Sequence, residues 1–362
     1  MTKSTHTPPP RNPVTLLTGF LGAGKTTLLN NVLSHADGPK IAVLVNEFGD
    51  AGLDHDLIEA VDEDVILMQS GCLCCSIRGD LSRTLHDLLM RKLKGQVTFD
   101  RIVIETTGLA DPGPILQTFL MDQFLVTNFR VDGVVTVVDA ATGPATLDRQ
   151  FEAVSQVAMA DLLILSKTDL VPASAADAFD ARLRSLNPTA DILRADHGAV
   201  PVAALWDLTG MHDHGTLDQT VSWLTPTTAP DPFANLSGLA RPAPRDAPTT
   251  PHDARIGSAS IVLDTPIPSV AFDLWLDTLI MLRGPDILRV KGIVHLEGVE
   301  TPFVFHGVQH LFDPPVPLNG WTGDDHTSRI VVIARDMTNA ELVYSLDMLR
   351  ARQSAETENQ PV

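Results

Sequence analysis

Residues 19–27, Gly-Phe-Leu-Gly-Ala-Gly-Lys-Thr-Thr, fit the pattern G-x-x-x-x-G-K-[ST] and stand between an apolar run at 14–18 and a helical pattern at 27–33. A glycine-rich turn from a buried strand into a helix lets successive backbone N–H groups converge on an anion, with the positive end of the helix dipole beneath it. Gly19, Gly22, Ala23, Gly24, Lys25, Thr26 and Thr27 therefore read as a phosphate cradle. In it Lys25 reaches the β- and γ-phosphates, and the Thr26 hydroxyl holds Mg²⁺. A strand-to-helix turn that binds nothing would not need so many matched positions in this context.

All three cysteines of the 362-residue chain lie in Cys72-Leu-Cys74-Cys75. An odd number within one motif cannot staple a fold. The chain opens on Met1-Thr-Lys-Ser without an apolar leader, and it has no uninterrupted apolar stretch of membrane-spanning length. A reducing, cytoplasmic setting is the expectation. Cys72, Cys74 and Cys75 together suit a soft or borderline cation, Zn²⁺ first, at about 2.3 Å. They supply at most three of the usual four ligands, which leaves the shell open to exchange with another protein. Co²⁺ would accept the same ligands. A redox-sensing thiol cluster and buried small apolar residues are the other readings.

The formal net charge of −19 disfavours nucleic acid and anionic membranes as partners. An apolar fraction of 44% suffices for two buried cores. Apolar runs at 40–46, 65–69, 101–105, 133–139 and 162–166 alternate with helical patterns, among them Leu81, Leu85, Leu88 and Leu89, and the segment 145–160. The alternation predicts an α/β fold with a mostly parallel sheet and helices on both faces, its chemistry at the strand C-terminal ends. With the glycine motif this is a P-loop NTPase domain, assigned to 13–225. Repeated prolines at 226–255 deny the donors that regular elements need, and a linker is expected. His212-Asp213-His214 and His252 near it read as polar loop residues that would at most assist metal loading.

Strand patterns at 258–264, 287–296 with an interruption at Gly292, 301–310 and 328–334, with helical patterns at 270–282 and 339–349, predict a smaller α+β domain over 256–350. Lys291, His306 and His310 read as strand residues with exposed polar ends, or alternatively as residues facing the nucleotide domain or a client. The ends at 1–12 and 351–362 read as disordered tails.

Two further motifs sit at predicted strand ends. In Arg101-Ile-Val-Ile-Glu105-Thr106-Thr107-Gly108 the strand ends in an acid positioned for the Mg²⁺ shell or the attacking water, and Gly108 lets its backbone sense the γ-phosphate. Lys25 and Glu105 are thus the catalytic candidates. Ser166-Lys167-Thr168-Asp169 resembles the guanine-reading motif Asn-Lys-x-Asp. Asp169 would accept from guanine N1–H and the 2-amino group, a pattern adenine lacks, while the Lys167 stem packs by the base. Serine in place of asparagine removes an amide that can donate and accept.

G-F-L-G-A-G-K-T-T-L, V-N-E-F-G-D, G-C-L-C-C, I-E-T-T-G-L-A-D-P and S-K-T-D-L, in this order between residues 19 and 170, resemble the CobW-type family of metallochaperone GTPases. The resemblance implies a SIMIBI-class G domain with a CobW C-terminal domain, GTP hydrolysis to GDP, and metal delivery to a metal-dependent client. It also implies a nucleotide-responsive switch at Asn46-Glu47-Phe48-Gly49-Asp50. Arg289-Val-Lys291-Gly292 and His306-Gly-Val-Gln309 resemble the family's C-terminal domain. Cobalt handling for cobalamin synthesis, activation of an iron or cobalt enzyme, a nucleotide-gated thiol sensor and a P-loop kinase or ATPase stay open as alternatives. No residue pattern specifies the oligomeric state.

Overall fold

The computed structural model describes residues 11–35, 38–46, 66–69, 77–195, 197–208, 253–312, 315–318 and 327–350. Seven parallel strands, β1 (Asn12–Thr18), β2 (Ile41–Asn46), β3 (Ile66–Gln69), β4 (Arg101–Thr106), β5 (Phe129–Asp139), β6 (Leu162–Ser166) and β7 (Asp191–Arg194), form one sheet in the order β3-β2-β4-β1-β5-β6-β7. β1 begins at Asn12, inside the expected tail. Period-two alternation divides the strands between two cores. Val14, Leu16, Ile102 and Ile104 pack with Leu81, Leu85, Leu88 and Leu89 of α2 (Ile77–Leu93). Leu17, Val103 and Val137 pack with Leu28 and Leu29 of α1 (Lys25–Leu33) on the other face.

α3 (Gly113–Met121) and α4 (Gln123–Asn128) precede β5. The pattern at 145–160 folds as two helices, α5 (Gly143–Arg149) and α6 (Phe151–Met159), because Gln150 between them is extended at φ −125° and ψ 110°. α7 (Ala173–Leu186) leads to β7.

The second sheet is antiparallel and built from β8 (Ile256–Leu263), β9 (Ile287–Val294), β10 (Phe303–Val308), β11 (Leu311–Phe312), β12 (Val316–Pro317) and β13 (Ser328–Arg335). Its order is β11-β10-β9-β13-β8, with β12 pairing β10. β9 is continuous through Gly292. The glycine serves packing, since a Cβ there would fall 2.2 Å from Cε1 of its cross-strand partner Phe305. α8 (Ser269–Arg283) and α9 (Asn339–Asp347) cover one face, burying Phe272, Trp275, Leu279, Leu342 and Leu346 against Val290, Phe305 and Val332. The opposite face presents Leu288, Val331 and Ile333 to Ala158 and Met159 of the nucleotide domain.

Charge pins that apolar contact. Asp161, at the foot of β6, is buried between two cations of β9: Arg289 Nη2 donates to Oδ1 at 2.5 Å and Lys291 Nζ lies 2.7 Å from the same oxygen. The Val134 N–H donates to Oδ2 at 2.9 Å, and Arg289 also donates to the Met159 carbonyl at 3.1 Å. Lys291 and His306 are therefore buried rather than open at their polar ends, and of the three residues singled out on these strands His310 is the exposed one. A second tie comes from the end of the expected linker. Asp253 accepts from Arg182 Nε at 2.7 Å and Nη2 at 2.9 Å, and the Arg255 guanidinium sits 4.3 Å from the Phe151 ring.

Burial alone would raise the Asp161 carboxyl, but Arg289 and Lys291 outweigh it and hold the group well below the ordinary carboxylate range. Burial pulls Lys291 down to about 8, with Asp161 opposing and the Arg289 charge adding to the fall. Asp161→Asn leaves the two cations buried without their carboxylate and should cost about 3–5 kcal/mol in urea unfolding of the full chain. Lys291→Met leaves a one-to-one Asp161–Arg289 pair and should cost far less. Because the Lys291 pKa falls on folding, its contribution to stability is complete above the unfolded lysine value of about 10.4 and is lost as pH falls through about 8. As pH rises across that window, wild type should accordingly gain stability relative to Lys291→Met.

Candidate nucleotide-binding site

β1 ends at Thr18 in the middle of the sheet, and the chain turns through residues 19–24 into α1. Gly19 at φ +138° and Gly24 at φ +102° occupy the region that side chains disfavour, and a Cβ on Gly19 would lie 2.3 Å from the Val137 carbonyl oxygen. The α1 N-terminus has no side-chain cap, which leaves its first N–H groups for an anion. Lys25, only 9% exposed, donates to the Gly19 carbonyl at 2.9 Å and the Phe20 carbonyl at 3.3 Å. Its ammonium thus lies within the loop it closes.

Alternation along β4 turns Val103 and Glu105 to the α1 side. Register then pairs Leu17 with Glu105, level with the end of β1. Thr26 Oγ1 donates to Glu105 Oε1 at 3.1 Å, and Thr106 Oγ1 to Thr18 Oγ1 at 2.8 Å. Beside them Thr107 Oγ1 is buried with no hydrogen-bond partner among the described residues, a state that costs about 1–3 kcal/mol unless something completes it. The Thr26 hydroxyl and the Glu105 carboxylate, hard oxygen donors in contact, fit a small divalent cation. Thr26 and Glu105 would hold Mg²⁺, which when bound neutralises charge on phosphate oxygens.

Gly108 runs against the phosphate loop: a Cβ there would stand 2.4 Å from the Leu21 backbone nitrogen. Behind it Gln156 of α6, fully buried, donates its side-chain amide to the Ala110 carbonyl at 3.0 Å and the Gly108 carbonyl at 3.3 Å. Asp111 follows, its carboxyl pushed up by burial against the pull of the Gly113 N–H, which donates to it at 2.9 Å. Gln117 of α3 then hydrogen-bonds Gln309 of the C-terminal domain. The loop after β4 is therefore tied to the phosphate loop in front and to the second domain behind. A glutamine within a helical pattern gives no local signal, so Gln156 is found only in three dimensions.

At the other end of the site, Ser166 Oγ donates to the Ala23 carbonyl at 2.7 Å, so the hydroxyl ties β6 to the phosphate loop at the position where the motif Asn-Lys-x-Asp carries an amide. Lys167, in the left-handed region at φ 56°, donates to the Gly22 carbonyl and to Asp139 Oδ2, each at 2.7 Å. Burial of Asp139 would raise its carboxyl, but hydrogen bonds from Lys167, Thr142 and Ala141 hold it below the usual range. Asp169 is partly exposed beside this clamp, and His197 Nε2 lies 4.0 Å from its Oδ2. The next residue, Gly198, abuts Thr27, whose Cγ2 would be 3.0 Å from a Cβ there. His-Gly just past a strand was the available sequence signal for this neighbour.

Cys72, Cys74, Cys75, the switch residues at 47–50, His212, His214 and His252 lie outside the described residues. Among the described residues no group of three or more His, Cys, Asp or Glu is arranged to hold a metal, and no helix is long and apolar enough to cross a membrane.

Residues 13–194 match the family described as CobW/HypB/UreG, nucleotide-binding domain, and residues 256–350 match the cobalamin synthesis protein cobW C-terminal domain. The chain belongs to the CobW family. It is 35% identical over 341 residues, 93% of this chain and 98% of the relative, to the zinc chaperone YjiA of Escherichia coli K12. It is 30% identical to the zinc chaperone CobW of Pseudomonas aeruginosa, over 92% of this chain and 90% of that protein. Its identity to the zinc-regulated GTPase metalloprotein activator 1 of Schizosaccharomyces pombe is 38% over 212 residues, 56% of this chain and 51% of that protein. A crystal structure of Zn(II)-bound YjiA GTPase from E. coli superposes with a TM-score of 0.70 at 29% identity, covering 94% of this chain and 99% of that one. The fold of this CobW-family chain is that of a P-loop GTPase.

Gly108→Ala should push the Leu21 backbone out of line and weaken binding of a fluorescent guanine nucleotide by about tenfold or more, the cost of one overpacked contact. Equilibrium titration against wild type measures it.

Proposed function

We propose that this CobW-family protein is a Mg²⁺-dependent GTPase that binds a transition metal, zinc first, at Cys72, Cys74 and Cys75 and passes it to a metal-dependent client protein under nucleotide control. Two near full-length relatives carry the name zinc chaperone, which supports zinc over Co²⁺. A cytoplasm, where thiols stay reduced, is the fitting compartment.

The observation that carries the coupling is one of register. Val45 of β2 pairs with Gln69 of β3 on one side and with Glu105 of β4 on the other. The chain thus leaves β3 level with Glu105, about 10 Å away across two strand spacings. Cys72 follows Gln69 by three residues, a reach of at most about 10 Å. Charge lost at the γ-phosphate is therefore lost close to where the cysteine segment departs, and linkage requires the effect to be reciprocal: nucleotide that tightens metal binding is itself tightened by metal.

Within the site, backbone N–H groups of Gly22, Ala23 and Gly24 and the Lys25 ammonium bind the phosphates and oppose the charge that develops on them. Glu105, at the edge of the Mg²⁺ shell, orients the attacking water, and Gly108 reports the γ-phosphate through its backbone. Asp169 reads guanine, with Lys167 and Ser166 holding the loop that carries it. Thr27 closes the loop onto α1.

Zinc affinity of the reduced protein, measured by chelator competition without nucleotide, with GDP and with a non-hydrolysable GTP analogue plus Mg²⁺, should differ between nucleotide states. A Cys72→Ser/Cys74→Ser/Cys75→Ser variant should lose the tight component. Equal affinity in all states removes the coupling, and tight binding that survives in the serine variant moves the metal elsewhere. Independently, Glu105→Gln should slow single-turnover GTP hydrolysis by about 10²-fold while GTP still binds. Unchanged turnover would remove Glu105 from the chemistry.

A further inference from the structure

The inner faces of α8 and α9 are committed to the C-terminal core, and their outer faces carry large apolar side chains among the charged ones. Along α8, Val270, Leu274 and Met281 recur at helical spacing, all exposed, and Leu282 follows. Met281 is 83% exposed and Tyr344 of α9 is 77% exposed, with Met348 one turn further on. Leu274 and Tyr344 are chain neighbours of Trp275 and Ser345, whose 3.1 Å hydrogen bond, Trp275 Nε1 to Ser345 Oγ, joins the two helices. The apolar rows thus lie on adjoining helices.

This surface is built on a capped helix and faces outward. α9 starts in a capping box, where Thr338 N–H donates to Glu341 Oε2 at 2.7 Å and Glu341 N–H donates to Thr338 Oγ1 at 3.2 Å. The sheet beneath rests its other face on the nucleotide domain, so among the described residues α8 and α9 form the outermost layer on this side. Several large apolar side chains at such exposure on one layer exceed the scatter expected of an ordinary surface.

Charge selects the occupant. Asp273 and Asp277, one turn apart, alternate with the apolar row of α8, and neither has an ionic partner among the described residues. Glu341 and Asp347 add carboxylates on α9, while Arg283 and Arg350 are engaged locally, with Asp286 at 3.5 Å and with Asp347 at 3.8 Å. A second copy would set the same carboxylates against one another on a chain of net charge −19. The residues that follow α9, 351–362, carry Glu356 and Glu358 and no Leu, Ile, Met or Phe. We propose that the outer face of α8 and α9 docks a cationic amphipathic helix of a partner protein, its apolar seam on Val270, Leu274, Met281 and Tyr344 and its lysines or arginines against Asp273 and Asp277.

The test is fluorescence anisotropy of the full chain with a labelled helical peptide of about 18 residues, leucines on one stripe and lysines beside it. Companion peptides have the same composition scrambled, or glutamate for lysine. Saturable binding of the amphipathic lysine peptide is expected. It should weaken about tenfold or more in Leu274→Ser/Met281→Ser and severalfold, with a shallower salt dependence, in Asp273→Asn/Asp277→Asn. It should hold in Met90→Ser/Leu93→Ser, which alters exposed residues of α2 far along the chain. All these side chains are exposed, and GTP binding by each variant checks that the fold persists. Four results overturn the proposal: no saturable binding, equal binding of the scrambled or glutamate peptide, equal binding by every variant, or a wild-type dimer in sedimentation that Met281→Ser dissociates.

Discussion

The parallel register of β1 between β4 and β5 is the constraint on which the rest depends. It delivers the phosphate loop to the middle of the sheet edge, sets Leu17 beside Glu105, and thereby brings Thr26 within hydrogen-bond distance of that acid. Because every strand of this sheet runs the same way, the loops that follow β1, β2, β3, β4 and β6 all leave from one edge. Groups separated by more than a hundred residues, such as the Ala23 carbonyl and the Ser166 hydroxyl, can then be tied by a single hydrogen bond. The chemistry of the site is a consequence of strand order more than of any one motif.

That edge is mechanically continuous with the second domain. Gln156 grips the Gly108 and Ala110 carbonyls from α6, whose end carries Met159 beneath the C-terminal sheet and whose next residues lead to the Asp161 cluster. Gln117 and Gln309 provide a parallel link from α3. Buried polar contacts of this kind are costly to break singly, so a displacement of the loop after β4 has few soft places to dissipate. A buried charge cluster adds little net stability against an apolar alternative, and here it joins β9 of the second domain to the foot of β6.

Much of the fold was legible beforehand. Strands β1 to β6, the four longer strands of the second sheet, the loop-to-helix turn and the place of Glu105 at its strand end follow from periodicity and glycine spacing, because those signals are local and repeat at 2 or 3.6 residues, whereas β7, β11 and β12 carry no comparable run. The failures have physical causes. Gly292 resembled an interruption because glycine disfavours strands, yet here its missing Cβ makes room for Phe305. The segment 145–160 resembled one helix because its apolar spacing carries through the extended Gln150. Lys291 resembled a surface lysine because its partner, Asp161, lies in the other domain.

By itself the sequence determined which chemical groups are present: a glycine-rich strand-to-helix turn with its lysine, an acid at a strand end, a Ser-Lys-x-Asp segment past another strand and three thiols in one motif. Each depends on residues adjacent in the chain, where backbone geometry leaves little choice. Tertiary structure alone decided which distant groups meet. Lys167 on Asp139, Gln156 behind Gly108, His197 beside Asp169 and two cations around Asp161 are pairings across strand order and domain packing. No local spacing encodes them, since they arise from the burial of apolar faces that both domains must satisfy at once.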